Sequence, residues 1–359
     1  MRRGGRARRR FTVRTGGLRA AVARPRRGRG RAGWRIMVPM LRFTLRQVGQ
    51  RLVLLVVISI LSFAMVHLAP GEPSLVDPSN PRLKQEDVAR IRAAFHLDEP
   101  LHIQYGYWVR DLATGRLVSF KDGQPVVGKI WERFLNSLPL FLTGTVITWL
   151  LAFPVGIQAA VARGSAFDRA TTFAAFAMIS IPGFFLAYLL ILWTVTHLQV
   201  SVVGMRTFGF EGVSAWYRGN DRLWHLVVPS VMSAFAGIAV LSRYVRSQMV
   251  EVLAQDYVRT ARAKGLPEVV VTYGHALRNA LLPFITMFGL MLPALIGGSV
   301  IFETIFAWPG MGRLGYDAIL ARDFPVVLTI NFFAAGLTLA GTLVSDLLYA
   351  VADPRIRLD

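Results

Sequence analysis

Gln255-Asp256-Tyr257-Val258-Arg259-Thr260-Ala261-Arg262-Ala263-Lys264-Gly265, with Pro267 behind it and Leu282-Pro283 further on, is a polar interruption in an otherwise apolar second half. Met249, Leu253, Tyr257 and Ala261 recur every fourth position, which predicts a helix with one apolar and one charged face. Asp256 stands upstream and Arg262 and Lys264 in the last turn, the order that suits a helix dipole. Gly265 is placed to supply a left-handed cap, and Pro267 to open the next helix. The stretch therefore predicts a short amphipathic helix between two membrane-length apolar segments. Such an element is built to touch something outside a bilayer.

The flanking sequence fits that picture. The 359 residues are 53% hydrophobic and 17% charged, with mean hydropathy +0.45, too apolar for a soluble domain of this size. This composition predicts an all-α polytopic membrane protein. Six runs are long enough to span: Leu52–Ala69, Pro139–Val161, Thr171–Val195, Leu226–Leu241, Phe284–Phe302 and Val326–Leu348, the fourth extending through Arg243. An even number of spans puts both termini on one side. The basic head, Arg163, Arg169, the Arg259–Arg278 loop, Arg355 and Arg357 then share one face, which the positive-inside rule makes cytoplasmic.

The net charge of +20 is unevenly spread. Residues 1–39 hold 14 arginines and no acid, leaving +6 for the rest. That head has no hydrophobic period and cannot bury a core, so it is expected to be a disordered tail or the product of a start assigned too early, Met37 and Met40 both lying just downstream. On the opposite face, residues 70–138 carry 9 basic and 9 acidic residues, a balance suited to a folded, solvated external segment. Within it, Glu86–Leu97 predicts a helix with Val88, Ile91, Ala94 and Phe95 on one side. A smaller outer loop carries Trp216, Tyr217 and Trp224, which fit an interfacial aromatic belt.

Two glycine motifs suggest phosphate binding and fail on context. Gly123-Gln124-Pro125-Val126-Val127-Gly128-Lys129-Ile130 fits GxxxxGK, but Ile130 cannot ligate magnesium and Pro125 lacks a backbone donor. Gly310-Met311-Gly312-Arg313-Leu314-Gly315 fits GxGxxG, yet it follows a membrane run instead of a strand, so an outer turn is expected. The six histidines are scattered with none four apart, and no nucleophile–base pair stands out, so neither a zinc site nor catalysis is expected. The absence of cysteine excludes disulfides and thiolate metal sites. His67 and Asp346 lie near span ends, where capping or snorkelling is expected. Pro182 and Pro293 are placed to kink or break their helices.

Arg259-Thr260-Ala261-Arg262-Ala263-Lys264-Gly265 together with His275-Ala276-Leu277-Arg278-Asn279-Ala280-Leu281-Leu282-Pro283 resembles the EAA loop of ABC-importer permeases, in its dipeptide/oligopeptide form. Aligned on Gly265, the general motif's Glu-Ala-Ala falls on Arg259-Thr260-Ala261, keeping only the second alanine, and the gap to Pro283 is longer. Both departures are usual in the peptide-type branch. Leu68-Ala69-Pro70-Gly71-Glu72-Pro73, Glu303-Thr304-Ile305-Phe306-Ala307-Trp308-Pro309-Gly310 and Asp353-Pro354-Arg355-Ile356-Arg357 resemble the same branch.

The resemblance implies a type I ABC importer permease fold over residues 40–359, with six transmembrane helices and a cytoplasmic coupling loop over 243–283. It implies that Leu253, Asp256, Tyr257, Arg259, Thr260, Ala261, Arg262, Ala263, Lys264 and Gly265 meet an ATPase, the apolar face (Leu253, Tyr257, Ala261) entering its groove. Trp308, Pro309, Gly310 and Gly312 would form an outer gate or receptor contact. The implied partners are a second, homologous permease in a heterodimer, two ABC ATPase subunits, an external substrate-binding protein and membrane lipids, but no nucleic acid. ATP and magnesium would sit on the partner subunits, with no cofactor on this chain, in a bacterial inner membrane with both termini cytoplasmic. Substrates implied are di- and oligopeptides, or else nickel, glutathione or oligosaccharides. A secondary transporter would want inverted repeats and paired mid-membrane charges, and neither is visible in the sequence.

Overall fold

In the computed structural model of the chain, the described residues are 32–69, 71–76, 85–199, 201–207, 215–291 and 299–352. Residues 1–31 of the Arg-rich head, Pro70, Pro293 and the Asp353–Arg357 motif lie outside them. The first helix, α1, runs Ala32–Leu68, so it takes in residues 32–39, which the sequence assigns to the tail. Two short helices come next, α2 (Gln85–Ala94) and α3 (Leu101–Thr114). Helix α2 matches the one expected near Glu86–Leu97. Helix α3 was not anticipated, although Pro100 before it and Gly115 after it, at φ 70°, are ordinary start and stop signals.

A tight hairpin next closes on itself through Ser119 N to Gln124 O (2.9 Å) and Val126 N to Leu117 O (2.9 Å). Buried Asp323 accepts from Phe120 N at 2.9 Å and from Ser119 Oγ, tying the hairpin to the last long helix. The GxxxxGK stretch is this turn plus the first turn of α4 (Val126–Val161), with Lys129 Nζ paired to Asp122 at 2.5 Å. Residues 126–138, expected in the external segment, are thus the N-terminal part of α4.

Beyond α4 come α5 (Ala166–Ser180), α6 (Gly183–Trp193), α7 (Ala215–Leu253) and α8 (Asp256–Ala263). A π-helical turn at Val270–Ala276 leads into α9 (Leu277–Ala280) and α10 (Leu282–Met291). The last described helices are α11 (Val300–Ile305), α12 (Met311–Leu320) and α13 (Phe324–Ala352).

Among the described residues, four helices are long and apolar enough to cross a membrane: Leu45–Leu68, Val126–Val161, Asn220–Leu253 and Phe324–Leu348. The third expected span is instead a pair, α5 and α6, bent by 87° at the break before Pro182, and counting it as one span gives five. The fifth expected span is represented by α10 and α11, with 292–298 between them outside the described residues. Many apolar side chains on these helices are exposed, among them Leu54, Val57, Leu150 and Phe173, as lipid or partner contact requires.

Helices α4 and α7 pack from Gly144, beside Ser233, to Gly156, beside Val245. A methyl at Gly156 would come 2.5 Å from Ser242 O, so only glycine admits this crossing. Arg51 on α1 reaches Asp346 on α13 at 2.7 Å and Gln47 at 2.8 Å. Asp346 is therefore ion-paired between the first and last long helices, where its position in the sequence suggests capping or snorkelling. His67 bonds Phe63 O at 2.9 Å and stacks on Phe63.

Candidate coupling site and outer clamp

The decisive stretch folds as its sequence predicts in three respects. Helix α8 carries Asp256 in its first turn and Arg262 in its last, and Gly265 takes φ 76° to end it. No atom crowds Gly265, so the glycine is there for its backbone and not for space. The next helix starts directly after Pro267, whose carbonyl accepts from Val271 N at 3.0 Å.

Its apolar face behaves differently from expectation. Helix α7 ends at Leu253 and the chain breaks at Ala254-Gln255, so Met249 and Leu253 belong to α7. Val258, at 0% exposure, and Ala261 turn inward. They pack with Met249 and Val245 of α7, Ala160 of α4, and Ala276, Ala280 and Phe284 at the base of α10. Ala261 is thus unavailable to a partner, and Leu253 is only partly so. The outward surface consists of Asp256, Tyr257, Arg259, Thr260, Arg262, Ala263, Lys264 and Gly265, with Tyr257 the large apolar group at 41% exposure. The four-residue period ran across a helix break and concealed Val258 as the inward anchor.

Two ties on the outward face fasten α8 to the helical segment on its C-terminal side. Arg262 Nε donates to Glu268 Oε1 at 2.7 Å, bridging the Gly265–Pro267 turn. Asn279 Nδ2 donates to Tyr257 Oη at 2.9 Å. A further clasp lies nearby. Arg246 of α7 grips Asp168 of α5 through two bonds of 2.5 and 2.8 Å, and Gly164 N also donates to Asp168 at 2.9 Å. Sequence reading missed this pair because its members are 78 positions apart.

At the opposite end, Trp308, Gly310 and Gly312 are buried and Pro309 is partly so. Trp308 Nε1 donates to Asn136 O at 2.9 Å, and Asn136 Nδ2 returns a bond to Pro309 O at 3.0 Å. Glu303, 1% exposed, accepts from Ser137 Oγ at 2.9 Å and Arg313 N at 2.9 Å, while Met311 N donates to Ser137 Oγ at 2.8 Å. The glycine-rich stretch is therefore the start of α12 wrapped round an internal carboxylate, which occupies the place a phosphate would take. A methyl at Gly310 would meet both Glu303 and Ser137 at 2.5 Å. Glu303, Asn136 and Ser137 were not foreseen as parts of this clamp. Among the described residues, no group of three or more acidic or histidine side chains is placed to hold a metal.

Helix α8 thus lies outside the long apolar runs, anchored on the base of one of them and offering a polar face with a single aromatic, where a lever-like docking element is expected. Residues 152–358, which contain that lever, match the family described as the binding-protein-dependent transport system inner membrane component. The chain belongs to this family. Residues 40–143 match the N-terminal part of the same transport system membrane component. Among curated members, the oligopeptide transport system permease protein AppB of Bacillus subtilis (strain 168) is 38% identical over 319 residues, 88% of this chain and 99% of the relative. The dipeptide transport system permease protein DppB of Escherichia coli (strain K12) is 36% identical over 336 residues, 89% of this chain and 99% of the relative. This member of the inner membrane component family is thus a multi-pass, all-α permease.

Proposed function

We propose that this chain is one permease subunit of an ATP-driven importer of di- and oligopeptides. Its hydrolysing ATPases, its second permease and its external binding protein are separate chains. The observation that carries this reading is α8, a helix packed inward by Val258 and Ala261 while Tyr257, Arg259 and Lys264 remain open to a partner. Orientation follows from charge: the α8 end, with Arg163, Arg169 and Arg278, is cytoplasmic, and the α2–α3 end faces outward. ATP-driven closure of the partners moves α8, and the shared core passes that motion to α4, α7 and α10. Burial of Trp308 and Gly310 favours a gate over a receptor contact for the outer clamp. The substrate class is taken over from the relatives' names; nickel, glutathione or oligosaccharides are the other cargoes to be tried.

The test is purification of the tagged chain with its assembly, then uptake of labelled dipeptide into vesicles containing ATP. ATPase subunits recovered with the chain, and uptake that needs both ATP and the external protein, are expected. Uptake without any ATPase would make it a secondary transporter and overturn the proposal.

A further inference from the structure

A cavity of about 240 Å³ lies in the external segment, where α3 and the hairpin meet the outer ends of α1 and α13. Phe63, Trp108, Phe120 and Phe324 give it an aromatic wall, and Arg116 stands among its polar lining residues. Tyr107 is fixed at its edge between His96, stacked at 3.8 Å, and the Arg110 guanidinium at 4.8 Å. Most polar groups here are occupied. His67 bonds Phe63 O, Gln104 donates to Leu97 O and Glu99 O, and Asp111 holds Arg110 at 2.9 Å.

Several donors are left over, although the indole Nε1 of Trp108, also without a partner among the described residues, is fully buried and not open to the cavity. Arg116 forms no ion pair among the described residues, its neighbour Asp111 being held by Arg110. An unpaired guanidinium seeks a carboxylate. The volume is below the roughly 300–1,000 Å³ of pockets for drug-sized ligands, which suits one side chain and its carboxyl group better than a whole oligopeptide.

We propose that this cavity receives the C-terminal residue of a short hydrophobic peptide. Its side chain lies against the aromatic wall and its carboxylate meets Arg116. The permease then holds substrate on its own outer surface, apart from the binding protein. This rests on the peptide-importer reading, and the two fail separately: ATP-driven uptake tests that reading whatever the cavity does.

The experiment titrates Leu-Phe, its C-terminal amide and decanoate against the purified complex in nanodiscs, without the external protein, by calorimetry. Leu-Phe is expected to bind, with the amide at least tenfold weaker. Arg116→Gln, at an exposed position, should abolish the difference between acid and amide. Equal binding of acid and amide, no binding while uptake is intact, or tight binding of decanoate alone would each overturn the proposal, the last in favour of a lipid-derived carboxylate.

Discussion

Gly265 shows how much of the coupling site rests on one backbone torsion. It sits at φ 76° in open space, so a substitution is penalised by conformation alone, about 1–2 kcal/mol for a residue that resists the left-handed region. Asparagine tolerates that region, so Gly265→Asn should keep transport near normal. Gly265→Pro fixes φ near about −65° and must redirect the turn between α8 and the π-helical segment. In reconstituted vesicles it should hydrolyse ATP with little peptide import, while inserting normally. A wild-type ratio of peptide imported to ATP hydrolysed would remove Gly265 from the coupling path. Gly310 carries the opposite demand, closeness to Glu303 and Ser137 without unusual torsion. Similar glycines in the sequence thus answer to different causes.

Under the proposed function, helix α8 divides its work between an inward side that transmits and an outward side that docks. Tyr257 takes part in both, through its exposed ring and its bond from Asn279. Tyr257→Phe removes only that bond, and Tyr257→Ala also removes the ring. Docking through the ring predicts that the Phe variant recovers ATPase in a detergent pull-down nearly as wild type, while the Ala variant loses about tenfold, as central aromatic anchors do. Equal losses would show that the tie to Asn279, and not the ring, matters to the partner. The charge order and the glycine cap of α8 were legible because both are decided within a few residues. The inward anchor Val258 was not, since burial is chosen by α4, α7 and α10 together. The outer clamp was illegible for the same reason: Glu303 and Ser137 are 166 positions apart. The break in the third span was half legible, Pro182 marking where a bend was allowed but not its 87°.

Across the whole molecule, the first and last long helices are joined by Arg51 and Asp346, 295 positions apart. Either charge alone near lipid is costly, so Arg51→Gln and Asp346→Asn should each lower the unfolding temperature in detergent, and the double variant should recover part of the loss. Coupling within about 0.5–3 kcal/mol is expected, towards the low end because Asp346 is 42% exposed. Strict additivity would mean the pair is incidental. Helix α4 has a wider consequence. Its Asn136-Ser137 region grips the outer loop, and its Ala160 region rests on Val258 and Ala261 of α8. About 35 Å of helix separates those two points at about 1.5 Å per residue. A tilt of about 5° at one end therefore sways the other by about 3 Å, the length of a hydrogen bond. If α8 meets an ATPase as proposed, a stroke there would unfasten the outer loop by leaning this rod together with α7, which is packed along it.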